Sequence, residues 1–108
     1  MSSAYVKVIR SKELTGSRPW AAIDIANMEG TTTRVHWANQ PYWWHANDGE
    51  EVFAVLDGTV DMYYREAGVE KVVILEAGDV FFADIGCEHV AHPRGEAHIL
   101  VVEREGSA

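Results

Sequence analysis

The strongest constraint on the fold of this chain is a succession of short apolar runs separated by turn residues. The runs include "EVFAVL", "TVDMYY", "EKVVIL" and "AHILVVE", and the interruptions include "DG", "REAG" and "EAGD". Runs rich in Val, Ile, Phe, Tyr and Thr that recur about every ten residues are typical of an all-β sandwich or barrel. After Ser11 no segment keeps the apolar period of a helix, and "SKEL" is predicted to form one turn at most.

Two pairs of residues between apolar runs are predicted to form tight turns. Asp57-Gly58 separates "EVFAVL" from "TVDMYY", and this pair is a strong hairpin signal because glycine accepts a positive φ. Ala67-Gly68 is a weaker signal of the same kind. Both pairs are therefore interpreted as connections between strands.

Length and charge limit the classes of function. A chain of 108 residues has room for one domain, so residues 1–108 are interpreted as a single unit. A net charge of −8 disfavours nucleic acids and anionic membranes as partners, since both are themselves negative. The single cysteine cannot form an internal disulfide, and neither a signal peptide nor a membrane span is recognised. A cytoplasmic location is the expectation.

His45, Glu51 and His89 form the most specific candidate site. His45 and Glu51 flank a short turn, and His89 begins an apolar run after another turn. Side chains distant in sequence meet inside a β-barrel when they share a face. Two imidazoles and one carboxylate around a point suit a divalent transition metal with open coordination positions. The alternative is three unconnected polar residues at strand ends that face water.

The chain resembles a small cupin, a family whose double-stranded β-helix, or jelly-roll, barrel carries two sequence motifs. The first motif corresponds to about residues 39–58 and the second to about residues 78–93. The resemblance implies this barrel fold for the chain, but it does not select an activity. The matched positions in the two motifs are His45, Glu51, Gly58, Gly78, Gly86 and His89.

Asn47 departs from the family pattern at a position that matters for a metal. It stands where the family has a second histidine, normally a ligand. An amide oxygen cannot match imidazole as a donor to zinc, nickel or copper. Either His45, Glu51 and His89 bind the metal with Asn47 as a weak fourth ligand, or the metal has been lost. The metal implied by the resemblance is Fe, Mn, Zn or Ni.

Other side chains are assigned around this site by their position in the strands. Phe53 and Val55 lie two and four residues after Glu51, so they are predicted to share its face of the strand. Trp43 lies two residues before His45. His98 is assigned to the pocket, with a hydrogen-bonded core position as the alternative. His36 and His92 are interpreted as surface residues, and either Tyr63 or Tyr64 faces inward. The predicted pocket residues are thus Trp43, Phe53, Val55 and His98.

Two hypotheses about function follow. In the first, the chain is a metal-dependent enzyme acting on a small organic molecule, with dioxygenase, isomerase and cyclase chemistries as the reactions that the resemblance implies. In the second, it is a non-catalytic module that binds a small ligand with weak or no metal. Apolar strands with edges to cover and four tryptophans also favour a homodimer.

Overall fold

The computed structural model describes residues 4–107, and β-strands are the dominant regular structure of these residues. One short 3-10 helix, Ser11–Glu13, lies where "SKEL" was expected to form a turn. The strands are β1 (Ala22–Met28), β2 (Thr31–Ala38), β3 (His45–Ala46), β4 (Glu51–Asp57), β5 (Thr59–Glu66), β6 (Val69–Glu76), β7 (Val80–Ala83), β8 (Glu88–Pro93) and β9 (Ala97–Arg104).

The strands form two antiparallel sheets that enclose the core. The first sheet has the order β1-β2-β9-β4-β7, and the second has the order β3-β8-β5-β6. Strands that are distant in sequence are neighbours in both sheets, as in a jelly roll. The prediction of an all-β jelly-roll barrel is confirmed.

Alternation along each strand positions the core and the site on the inner faces of the sheets. In β4, Glu51, Phe53 and Val55 are buried while the residues between them are more exposed. Met62 on β5 of the facing sheet is fully buried, as is Ile99, the partner of Val55 on β9. The shared parity of Glu51, Phe53 and Val55 is therefore observed, and an apolar cluster fills the barrel beyond Glu51.

Two of the connections are tight hairpins. Glu29-Gly30 joins β1 to β2, and Ala67-Gly68 joins β5 to β6. All four residues have positive φ, between 49° and 90°. Positive φ at both central residues is the signature of the type I′ turn, whose twist matches that of the flanking strands. The weaker of the two turn signals, Ala67-Gly68, is thus a true hairpin.

The stronger signal, Asp57-Gly58, was wrong as a hairpin. β4 pairs with β7 and β9, whereas β5 pairs with β6 and β8, so the chain crosses from one sheet to the other at this point. Gly58 has a φ of 85°, and a Cβ at this position would lie 2.6 Å from the carbonyl oxygen of Glu96. Glycine is needed here because the corner packs against the start of β9.

The segment before β1 lies against the outer face of the five-stranded sheet. A Cβ on Gly16 would lie 2.8 Å from the Trp37 ring, and the Leu14 carbonyl contacts His98. This segment therefore covers the part of β2 and β9 that contains Trp37 and His98. In the described part of the chain, no helix has the length and hydropathy needed to cross a bilayer.

Candidate metal centre

A cavity of about 730 Å³ opens between the two sheets, and three of the four predicted ligands line it, namely His45, Glu51 and His89. His45 lies on β3 and His89 on β8, both in the four-stranded sheet, while Glu51 is the first residue of β4 in the facing sheet. Their ligand atoms all lie within 4.8 Å of one another. The structure therefore brings together residues that are up to 44 positions apart, counted from His45 to His89.

The two histidines hold one another in place across a strand pair. His45 and His89 are direct partners in the β3–β8 ladder, and their ring centroids are 4.4 Å apart. Glu51 approaches from the other sheet, with its Oε1 2.8 Å from His89 Nε2. His89 and Glu51 are both buried, so this contact lies in a region of low dielectric.

Backbone carbonyls orient both imidazoles. His45 Nδ1–H donates to the Trp43 carbonyl at 3.0 Å, and His89 Nδ1–H donates to the Cys87 carbonyl at 3.0 Å. Carbonyl oxygens only accept, so Nδ1 carries the proton in each ring and Nε2 is the nitrogen that a metal can bind. Outer hydrogen bonds of this kind are typical of metal-binding histidines.

The two imidazoles differ in proton affinity. Burial lowers the pKa of His45, and the neighbouring His89 lowers it further. Burial also acts to lower the pKa of His89, but the hydrogen bond to Glu51 and the charge of Glu51 outweigh it, and the net pKa is raised. Without a metal, the proton that His89 Nε2 directs to Glu51 stabilises this buried contact.

Asn47 contacts the site differently from the prediction. Its Nδ2 donates to Glu51 Oε1 at 2.7 Å and lies 3.4 Å from Glu103 Oε2. An amide nitrogen is not a metal ligand, so in this arrangement Asn47 supports Glu51 instead of serving as the fourth ligand. Its Oδ1 is buried and has no hydrogen-bond partner within residues 4–107.

Glu103 is a cavity residue that the sequence analysis missed. It is the direct partner of Glu51 in the β4–β9 ladder and lines the same cavity. Burial raises the pKa of Glu103 to about 7, and the charge of Glu51 adds to the effect. The signal was present in the sequence, because Glu103 has the parity of the buried Ile99 and Val101.

Two of the four predicted pocket residues line the cavity and two do not. Trp43 lines it although 65% of the residue is exposed, and Phe53 lines it from β4. Val55 is buried in the apolar cluster beyond the cavity, because it lies two residues further along the strand. The prediction therefore extended the pocket one inward-facing residue too far along β4.

His98 is not a pocket residue, and the alternative of a hydrogen-bonded position holds instead. Its Nδ1 lies 2.5 Å from Asp57 Oδ1, and its Nε2 lies 2.6 Å from the Leu14 carbonyl. Both partners only accept, so both ring nitrogens carry protons and His98 is an imidazolium. His98 is the partner of Trp37 in the β2–β9 ladder, on the face opposite to the cavity.

The structure also places His36 and the two tyrosines of β5, for which the sequence analysis made an assignment or left a choice open. His36 was interpreted as a surface residue, but it lines the cavity, and its Nδ1–H donates to the Trp20 carbonyl at 3.1 Å. Burial lowers the pKa of His36, which is consistent with a neutral ring. Of the two tyrosines on β5, Tyr64 has the inward parity and its ring contacts Phe81, whereas Tyr63 contacts the half-buried His92.

An aromatic wall adjoins the three ligands, and of its residues the sequence analysis had predicted Trp43 but not Trp20 or Tyr42. The Tyr42 ring lies edge-on to His45, with centroids 5.1 Å apart, and stacks on Trp43 at 4.3 Å. Trp20 packs on the other side of Tyr42 at 5.2 Å. These rings give one side of the cavity a flat apolar surface next to the candidate ligands.

Comparisons with known proteins agree with this architecture. A family model described as the cupin domain matches residues 34–103. A cupin-2 domain containing protein from Shewanella frigidimarina superposes with a TM-score of 0.73 and 25% identity, covering 83% of this chain and 85% of that one. The TT1209 protein from Thermus thermophilus gives a TM-score of 0.75 and 21% identity, with coverages of 93% and 98%.

A larger protein shares the fold over part of its length. Hydroxypropylphosphonic acid epoxidase from S. wedmorenis, solved in complex with fosfomycin, gives a TM-score of 0.59 and 18% identity. The superposition covers 68% of this chain and 43% of that one. Among curated proteins, none matches this chain in sequence.

Proposed function

Because this chain belongs to the cupin domain family, we propose that it binds a divalent transition metal through His45, Glu51 and His89 and acts as an enzyme on a small organic molecule. The observation that carries the proposal is the convergence of these three side chains within 4.8 Å of one another. They converge in a cavity of about 730 Å³, which is the size of ordinary small-molecule sites.

The donor set fits such a metal. Two neutral imidazole nitrogens and one carboxylate form a set used by iron, manganese, zinc and nickel, and they leave coordination positions open on the cavity side. The Trp43 and Cys87 carbonyls hold a proton on Nδ1 of each ring, so Nε2 is the nitrogen that faces the metal. At His89 the proton that Nε2 directs to Glu51 would be displaced by the metal. A divalent ion bound here would act as a Lewis acid or redox centre toward a substrate oxygen.

Two further residues of the chain would support this chemistry, one by orienting a metal ligand and one by accepting a proton. Asn47 holds Glu51 by a 2.7 Å hydrogen bond, so the carboxylate approaches the two imidazoles in one orientation. His36 lines the same cavity outside the three ligands, and its Nδ1–H is held by the Trp20 carbonyl. Its Nε2 therefore keeps a lone pair that can accept a proton, as isomerase or cyclase chemistry requires.

The second candidate, a non-catalytic module that binds a small ligand, rests on Asn47 and on the His89–Glu51 contact. Asn47 replaces one family ligand, and its nitrogen faces Glu51. His89 Nε2 and Glu51 Oε1 already form a hydrogen bond of 2.8 Å without a metal. The fold is compatible with either role, because one fold can serve unrelated functions.

Metal titration of the parent, His89→Ala and His92→Ala tests the proposal. The parent should bind about one divalent ion per chain, and His89→Ala should bind at least tenfold more weakly because it loses one of three strong ligands. His92 is the matched control, since it lies three residues along the same strand and contacts Tyr63 instead of the site. A parent that binds none of iron(II), manganese, zinc or nickel would leave only the non-catalytic module.

Turnover is tested separately. The metal-loaded parent and His89→Ala should be incubated with a panel of small organic acids, and oxygen consumption and product formation should be followed. Activity in the parent that His89→Ala loses would establish a metal-dependent enzyme. Metal binding with no turnover across aromatic, keto and hydroxy acids would favour the second candidate.

A further inference from the structure

The turn that precedes β1 holds Trp20 in a backbone conformation that tryptophan rarely adopts. The Ala21 N–H donates to the Arg18 carbonyl at 3.1 Å, which closes a turn over Arg18–Pro19–Trp20–Ala21. Proline at the second position and a φ of 64° at Trp20 in the third are the features of a type II turn. Glycine is the usual residue there, because a bulky side chain at this φ strains the backbone.

Three hydrogen bonds keep Trp20 in this position. Its N–H donates to the Trp37 carbonyl at 2.9 Å, and its carbonyl accepts from His36 Nδ1 at 3.1 Å. The indole Nε1–H donates to the Gln40 carbonyl at 2.8 Å. The ring is thus fixed against Tyr42 and beside the cavity. Strained residues that are held this firmly are concentrated at functional sites.

The same turn supplies a cation to the cavity. Arg18 and Arg34 are the two arginines among the lining side chains. Arg34 is paired with Asp24, with Nε 2.7 Å from Oδ1. Arg18 is exposed and forms no ion pair with any residue in the 4–107 range. Its guanidinium is therefore available to a ligand, and it is suited to bind a carboxylate through two parallel hydrogen bonds.

We propose that the Arg18–Ala21 turn is the substrate-recognition element of this site, and that the substrate is a planar aromatic monocarboxylate. Trp20 and Tyr42 would contact its ring, and Arg18 would bind its carboxylate. The proposal deepens the proposed function by naming the substrate class of the same cavity. A single negative charge is specified because Asp24, Glu51 and Glu103 line the cavity and oppose a ligand with several charges.

The first test uses the metal-free protein, so that a carboxylate cannot bind through a metal. Calorimetric titration after treatment with a chelator compares benzoate with benzyl alcohol and with cyclohexanecarboxylate. Benzoate should bind most tightly, because it alone has both the flat ring and the charge. Arg18→Gln should weaken benzoate binding about tenfold and leave benzyl alcohol unchanged, since one charge-assisted contact is lost.

Arg94→Gln is the control for the change in net charge. Arg94 is exposed and pairs with Asp61 on the four-stranded sheet, away from the cavity. The Arg94→Gln variant should bind benzoate with the same affinity as the parent. Equal affinity of Arg18→Gln and the parent, or no preference of the parent for benzoate over cyclohexanecarboxylate, would overturn the proposal.

A second variant tests the ring contact. Trp20→Leu keeps an apolar side chain and removes the flat surface, so its affinity for benzoate should fall to that for cyclohexanecarboxylate. Circular dichroism checks that the variant folds, and the Arg18→Gln result decides the matter if it does not. These outcomes are independent of metal titration, so a failed metal site and a failed recognition element give different results.

Discussion

His45 and His89 face one another across the shortest strand pair in the described structure, with ring centroids 4.4 Å apart. β3 contains only two residues, His45 and Ala46, so its pairing with β8 serves mainly to fix the position of His45. Substitutions at the site should therefore act on metal binding more than on the barrel, whose core lies beyond Glu51.

Asn47 should control the strength and selectivity of metal binding. Asn47→His introduces a third imidazole beside Glu51, and we expect it to tighten zinc or nickel binding at least tenfold, because imidazole is the better donor for these ions. Asn47→Ala should weaken binding less than His89→Ala, since it removes only the hydrogen bond that orients Glu51. Titration calorimetry with the four proteins measures this order.

The result would also separate the two candidate functions. A parent that binds no metal, together with Asn47→His that does, would identify the natural chain as a metal-free binder. Failure of both proteins to bind would show that the convergence of His45, Glu51 and His89 does not make a site.

His98 should make stability depend on pH. Burial acts to lower the pKa of His98, but hydrogen bonds to the Leu14 carbonyl and to Asp57, together with the Asp57 charge, raise it overall. The folded state therefore holds this proton more tightly than the unfolded state, in which the ordinary histidine pKa is about 6.5. The stabilisation is complete below that value and is lost as pH rises through the raised folded-state pKa.

Urea unfolding of the parent and His98→Gln across pH 5 to 10 measures this contribution. The variant should lose about 1–3 kcal/mol at the acid end, and the difference between the two proteins should shrink as pH rises. A difference that is constant over the whole range would contradict the assignment of His98 as an imidazolium.

Gly58 should tolerate alanine less well than Gly68 does. Both have positive φ, near 85° and 77°, so both substitutions introduce a similar backbone strain of about 1 kcal/mol. A Cβ on Gly68 meets nothing within 4 Å, whereas one on Gly58 would lie 2.6 Å from the Glu96 carbonyl oxygen. Chemical denaturation should show that Gly58→Ala lowers the free energy of unfolding by at least about 3 kcal/mol. Equal losses would mean that the sheet corner can relax.

We propose that two copies of the chain associate through the outer face of the five-stranded sheet. Val52 pairs with both Phe82 and Val102 there, and Ile85 adjoins them. Phe82 and Ile85 are 55% and 65% exposed, which leaves an apolar patch beside the face that the amino-terminal segment covers.

Sedimentation at micromolar concentration should report a homodimer, and Phe82→Glu should shift it toward monomer by placing a charge in the patch. Val69→Glu is the control, since Val69 is similarly exposed but lies in the β5–β6 hairpin of the other sheet. A monomeric parent would refute this association.

The strand content and the three candidate ligands could be predicted because they depend on local patterns. Alternation placed Glu51 and Phe53 on one face, and spacing placed His45 and His89 in the two motifs. Asp57-Gly58 was misassigned because a tight turn and a sheet corner both require positive φ, and local sequence does not tell which strand pairs next.

Three features of the site could not be predicted from the sequence: the depth of the cavity, the orientation of one side chain and a contribution from outside the motifs. Val55 was assigned to the pocket because parity gives the face of a strand but not the depth at which the cavity ends. Trp20 was missed because its position depends on a strained turn and on the distant Trp37, His36 and Gln40. Asn47 was assigned as a ligand because sequence identifies an amide without showing which of its atoms faces Glu51.

The position of β9 has a consequence for how the chain folds as it is made. Among the nine strands of residues 4–107, β9 comes last in sequence, yet it lies between β2 and β4 in the middle of its sheet. Until residues 97–104 leave the ribosome, β2 and β4 each have an unpaired edge, and the cavity lacks Glu103. The nascent chain therefore keeps unpaired strand edges until β9 emerges, and assembly of the site coincides with insertion of this strand.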